Sequence, residues 1–246
     1  MTTKEKMNTD KNTPRLLGAA FLFVVVAAAL SAPPVNPIAI AIVGLPDNIS
    51  ETMIKISDNP TTMQMSIVGY LIEAIAIVLL AVLLYTTLKK QNKIIARWAF
   101  GLWIVEAVFV AIKQISTFSL LNVSQEFVKA GALDSSYFLT LGRLFYETFQ
   151  FGYFVQMVFY CTGGILFYYI FFKSKYVPIV ISLWGIAAAS LAFIGTLAIL
   201  FGYDVPLYVF LPILPFELAI GVWLIVKGFN SSANASESGK TDINEV

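Results

Sequence analysis

Residues 65–88, MSIVGYLIEAIAIVLLAVLLYTTL, carry one charged side chain, Glu73, and end against Lys89-Lys90. As a helix this stretch measures about 36 Å at a rise of about 1.5 Å per residue, enough to cross a hydrocarbon core about 30 Å thick. A helix on the surface of a soluble domain keeps a polar face. Here the apolar residues continue all round, so the reading is a transmembrane span.

The same pattern recurs on both sides. Before it, Leu16–Ala32 is an apolar run stopped by Pro33-Pro34. Its basic start and its Ala27-Ala28-Ala29 also resemble a signal peptide; a retained helix is the expectation, and in either case the next segment lies outside. Residues 33–63, with Asp47, Glu51 and Asp58, read as a non-cytoplasmic loop, within which Ile38–Leu45 is apolar but too short to span. After Lys89-Lys90, spans are expected at about 98–121, 151–172, 177–201 and 207–226. Residues 122–136 are polar, with Glu126 and Asp134.

Tyr137–Phe172 has no proline, and as a single helix would reach about 54 Å. The expectation divides it at Gly152 into an amphipathic outer helix, 136–150, and a span. The outer helix lies on the membrane surface or forms a lid over a polar cavity. Residues 1–14 read as a cytoplasmic tail and 230–246, rich in Ser, Asn and Glu, as a disordered one. The fold class is an all-α, polytopic bundle of about six spans, in the cell membrane.

Composition agrees. Of 246 residues 58% are apolar and 13% charged, against about 25% charged in ordinary soluble domains. A net charge of +1 gives no reason to expect nucleic acid as a partner; membrane lipids are the expected surroundings. There is no histidine and one cysteine, Cys161. That removes histidine-ligated zinc and haem, the Ser-His-Asp triad and any internal disulfide. No catalytic, cofactor-binding or metal-binding residue is expected, and no phosphate loop or nucleophile elbow is present. An enzyme is the less favoured class.

Of the 16 Lys and Arg residues, all but Lys55, Lys113, Lys129 and Arg143 fall in the first tail, the 89–97 and 173–175 connections, or the last segment. Basic residues concentrate on the cytoplasmic side of membrane proteins, which puts both termini there.

Four charges remain inside the spans: Glu73, Glu106, Lys113 and Glu217. Each costs at least about 2.5–3.5 kcal/mol at the bilayer centre and turns toward the bundle interior. Glu106 and Lys113 share a helix face two turns apart, about 10 Å along the axis, which is too far for direct contact unless the side chains lean together or water bridges them. Lys113 is therefore expected to meet Glu73 or Glu217 on another helix. Thr117 extends the Glu106–Lys113 face; Ser66 and Tyr70 share a side with Glu73; Pro212 and Pro215 loosen the helix start before Glu217. The outer helix adds Thr140, Arg143, Glu147 and Gln150 on one face, with Arg143 and Glu147 as further lining of an outward-opening polar cavity.

One reading is structural: the charges pair and fix helix packing. The other is functional. One lysine cannot neutralise three buried acids, so at least one acid is protonated, close to water, or paired with an external cation. Small residues such as Gly163-Gly164, Gly185 with Ala189, and Ala188 with Ala192 read as helix packing, as does Cys161-Thr162. The glycosylation patterns at Asn48 and Asn122 read as chance.

Three stretches, Tyr70-Leu71-Ile72-Glu73-Ala74, Arg97 with Ile104-Val105-Glu106-Ala107-Val108, and Glu217 through Trp223-Leu224-Ile225-Val226-Lys227-Gly228-Phe229-Asn230, together with Ser124–Leu141, resemble the prokaryotic membrane family called domain of unknown function 4386. The resemblance implies a retained first helix, six spans, and Glu73, Arg97, Glu106 and Glu217 as positions of interest. It implies no activity. Lys113 rests on the physical reasoning alone.

The expected function is a small transporter or ligand-binding protein whose glutamates take a proton, a cation or a small basic solute. A non-catalytic sensor, immunity or assembly protein and an intramembrane lipid-modifying enzyme are the alternatives. No internal repeat of the commonest transporter folds is evident.

Overall fold

The computed structural model describes residues 3–31, 48–131 and 135–230. Among these residues there are seven α-helices and no strand: α1 (Thr3–Ser31), α2 (Ile49–Asp58), α3 (Pro60–Leu88), α4 (Lys93–Ala130), α5 (Ser135–Ser174), α6 (Ile179–Leu200) and α7 (Ile213–Val226), the last preceded by a 3-10 turn at Leu207–Val209. Six segments are long and apolar enough to cross a membrane: Asn12–Ser31, Pro60–Leu88, Lys93–Ala130, Ser136–Ser174, Ile179–Leu200 and Leu207–Val226. The chain is an all-α, multi-pass bundle. The apolar Ile38–Leu45 stretch and the 231–246 tail lie outside the described residues.

Helix ends follow local chemistry. Pro60 opens α3 in the first turn, where its missing N–H is not needed. The Asn92 side chain accepts from the Ile95 N–H at 3.0 Å and caps α4. Gly202 and Gly228 follow α6 and α7 with φ of 84° and 71°, a left-handed conformation that glycine adopts without strain.

The spans run up and down, and each packs on its neighbour in the chain. α1 lies against α3, α3 against α4, α4 against α5, α5 against α6 and α6 against α7; α7 then packs on α1 and closes the ring. At that closure the helices touch backbone to backbone: a Cβ on Gly18 would stand 2.5 Å from the Gly221 carbonyl oxygen. Phe21, Leu84, Trp103, Phe167, Tyr168, Phe216 and Leu224 fill the centre. Ile75, Ile115 and Val180 point outward and are 70%, 68% and 75% exposed, as lipid-facing residues should be.

Three expectations change. The segment expected as an irregular outer loop contains α2, an amphipathic helix that buries Thr52, Met53 and Ile56 against the ends of α4 and α5. The polar stretch after residue 121 continues α4 as far as Ala130. The break expected at Gly152 is absent, because α5 is continuous from Ser135 to Ser174. Glycine there serves packing: a Cβ on Gly152 would meet the Lys113 Cβ at 3.4 Å, so α5 passes close to α4 without bending. At 38 and 40 residues, α4 and α5 reach about 57 and 60 Å. Both pack against α2, with Met53 of α2 wedged against Gly142.

Candidate functional site

The inside of the ring holds the intramembrane charges. Glu73 comes from α3, Glu106 and Lys113 from α4 and Glu217 from α7. Glu73, Glu106 and Lys113 are 9%, 3% and 5% exposed; Glu217 is half-buried.

Lys113 makes no ion pair. Among the described residues the salt bridges are Lys129–Glu126 and Arg143–Glu147, both exposed. Its Nζ instead donates to Gln156 Oε1 at 2.6 Å and lies 4.7, 5.4 and 5.1 Å from the ring centres of Tyr70, Phe149 and Tyr153. The ammonium sits in an aromatic box from α3 and α5, held by ring quadrupoles and one amide.

Gln156 also reaches Glu106, which links the two α4 charges across their two-turn separation. Glu106 Oε2 is buried without a hydrogen-bond partner among the described residues. Buried polar atoms are nearly always satisfied, so this oxygen is an exception within the cluster.

Glu73 meets the end of α1. Ser31 Oγ donates to the Ala27 carbonyl at 2.7 Å and lies 3.4 Å from Glu73 Oε2. Ser66 Oγ donates to the Ser31 carbonyl at 2.7 Å, satisfying one of the carbonyls that a helix end leaves open. Ser66, Tyr70 and Glu73 thus share one buried side of α3, as their spacing predicts.

Glu217 accepts from the Tyr160 hydroxyl at 2.7 Å. The backbone carbonyl of Tyr160 in turn accepts from Trp103 Nε1 at 3.0 Å, and the two rings stack 6.1 Å apart. Glu217 therefore engages a phenol, and among the described residues the expected Lys113–Glu217 meeting does not occur.

Arg143 and Glu147 are not part of this cluster. Arg143 Nε donates to Glu147 Oε1 at 2.9 Å on the exposed face of α5, while Tyr146 and Phe149 face inward. Gln156 and Tyr160 are site residues that the sequence reading missed. An amide among the Phe and Tyr in the apolar part of α5 was the available signal for Gln156. Among the described residues no three of His, Cys, Asp and Glu gather as metal ligands.

The chain is a six-span helical membrane protein with a buried acidic cluster around one lysine. It belongs to the family described as Domain of unknown function (DUF4386), which matches residues 16–228 and so includes every member of the cluster. The chain matches neither a curated protein nor a solved structure.

Proposed function

We propose that this protein is a small transporter or ligand-binding protein of the cell membrane, with both termini cytoplasmic, whose intramembrane carboxylates take a proton, a cation or a small basic solute. Among the described residues Glu106 Oε2 has no hydrogen-bond partner and Lys113, two turns along the same helix, makes no ion pair; this carries the reading. A cluster built for packing alone would pair Lys113 with a carboxylate, because an isolated buried charge is expensive. Here the lysine is held by an amide and three rings, and carboxylate oxygen is left over. A proton or cation arriving at Glu106 would change the charge facing Lys113 through Gln156. With Glu73 on α3 and Glu217 on α7, that change reaches three helices.

Thermal melts of the purified protein in detergent test this, with and without sodium, guanidinium or choline, for the parent and Glu106→Gln. The expected result is a variant at least as stable as the parent that has lost stabilisation by one of these cations. A loss of about 3–5 kcal/mol, the cost of breaking a buried ion pair, would make the charge structural and overturn the reading.

A further inference from the structure

At the end of the bundle where α1 begins and α7 ends, a cleft of about 350 Å³ opens between the α3–α4 turn and the last turns of α5. It is lined by Gln91, Asn92, Tyr169, Ile170, Lys173 and Ser174. None of these belongs to the buried acidic cluster.

The lining is rich in donors and free of negative charge. Lys173 makes no ion pair among the described residues; its Nζ lies 5.7 Å from the Tyr169 ring centre. Asn92 commits its side-chain oxygen to the Ile95 N–H, which leaves its amide hydrogens to donate. Gln91 uses one amide hydrogen on the Tyr176 hydroxyl at 2.8 Å and keeps the second. The sequence has no Asp or Glu between Glu73 and Glu106, or between Glu147 and Asp204, so both walls are without acid. Lys89, Lys90, Lys93 and Lys175 flank them. Such a cleft selects an anion with several acceptor oxygens, and phosphate fits that description.

The apolar side of the cleft says what carries the phosphate. Tyr169 is 39% exposed, and on the first turns of α4 beside the cleft Ile94 and Trp98 are 72% and 68% exposed. These are span ends, at the level of lipid headgroups, where Trp and Tyr concentrate. A soluble anion would leave these side chains uncovered, whereas an acyl chain would cover them. We propose that this cleft is a binding site for the phosphate of an anionic phospholipid, seated against Lys173 and the Asn92 amide with its acyl chain along Tyr169. Basic clefts between spans recognise anionic headgroups by this combination of charge and adjoining apolar surface.

Native mass spectrometry of the full chain in detergent, titrated with phosphatidylglycerol or with phosphatidylcholine of the same acyl chains, tests the proposal. Phosphatidylglycerol should bind at one tight site. Lys173→Gln should weaken it about fivefold, the worth of one lysine near an anionic headgroup, and Lys173→Arg should restore it. Lys93→Gln, a charge removed outside the lining, should leave it within about twofold, as a screened exposed charge does. Equal binding of the two lipids, or equal losses in Lys173→Gln and Lys93→Gln, would overturn the proposal in favour of unspecific attraction. If inorganic phosphate competes at concentrations comparable to the lipid, the site belongs to a soluble anion and the lipid assignment fails.

Discussion

Asn230 holds the backbone of Lys175. Its side-chain Nδ2 donates to the Lys175 carbonyl at 2.9 Å, and its own N–H donates to the Tyr176 carbonyl at 2.9 Å. Phe229 stacks on the Tyr176 ring at 4.6 Å, and the Tyr176 hydroxyl accepts from Gln91. The end of α7, the α5–α6 turn and the α3–α4 turn are thereby fastened together. Trp223 to Asn230 straddles the end of the family match at residue 228. Its role here is a clasp between three connections, and Gly228, in the left-handed region, makes the bend that delivers it.

Asn230→Ala should lower stability by about 1 kcal/mol, the net worth of one hydrogen bond. Phe229→Ala should cost more, because it also strips the stacking surface from Tyr176. Thermal melts in detergent measure both, and a neutral Phe229→Ala would show that the clasp contributes nothing.

Lys175 has a φ of 57°, a conformation that costs an L-residue with a Cβ about 1 kcal/mol. Lys175→Gly relieves it and should raise stability by up to about that amount, less what glycine loses in the unfolded chain. The same melts, compared with Lys173→Gly as a control within the helix, decide it.

Gly18→Ala should be strongly destabilising, by more than about 2 kcal/mol, because its Cβ would meet the Gly221 carbonyl at 2.5 Å and backbone cannot step aside as a side chain can. A Cβ on Gly101 meets nothing within 4 Å. Gly101→Ala should be neutral or stabilising by up to about 1 kcal/mol from helix propensity. Similar effects from the two would contradict the close α1–α7 contact.

Lys113→Met should be stable, since a long apolar chain fills the box of Tyr70, Phe149 and Tyr153 without a buried charge to solvate. Lys113→Ala, which empties the box, should cost about 2–5 kcal/mol as other large-to-small core changes do. If Met is as damaging as Ala, the ammonium holds the helices together and the functional reading loses its support. Tyr160→Phe separates the other half of the cluster: it should leave Lys113 unaffected while removing the partner of Glu217.

The bundle was legible because apolar runs are long, repeated signals that tertiary packing does not alter. Gly152 was not legible in the same way. A glycine between two polar-to-apolar segments reads equally as a hinge or as a close approach, and only the Lys113 side chain opposite decides between them. Glu73, Glu106, Lys113 and Glu217 stood out because each is a charge within a mostly apolar span. Gln156 and Tyr160 lie in a helix crowded with Phe and Tyr, where an amide and a phenol give little contrast. Arg143 and Glu147 had the spacing of an ordinary i, i+4 surface pair, and that is what they form.

Closure of the ring by α7 on α1 has a consequence for biosynthesis. α1 is made long before the partner that covers its Gly18 face, since α7 is the last of the six described spans in chain order. Until then that face is presented to lipid or to the insertion machinery, and the acidic cluster lacks Glu217. The interior is therefore complete only once α7 has been made. A nascent chain arrested before α7 would display an open seam of small residues, the kind of surface on which membrane quality control can act.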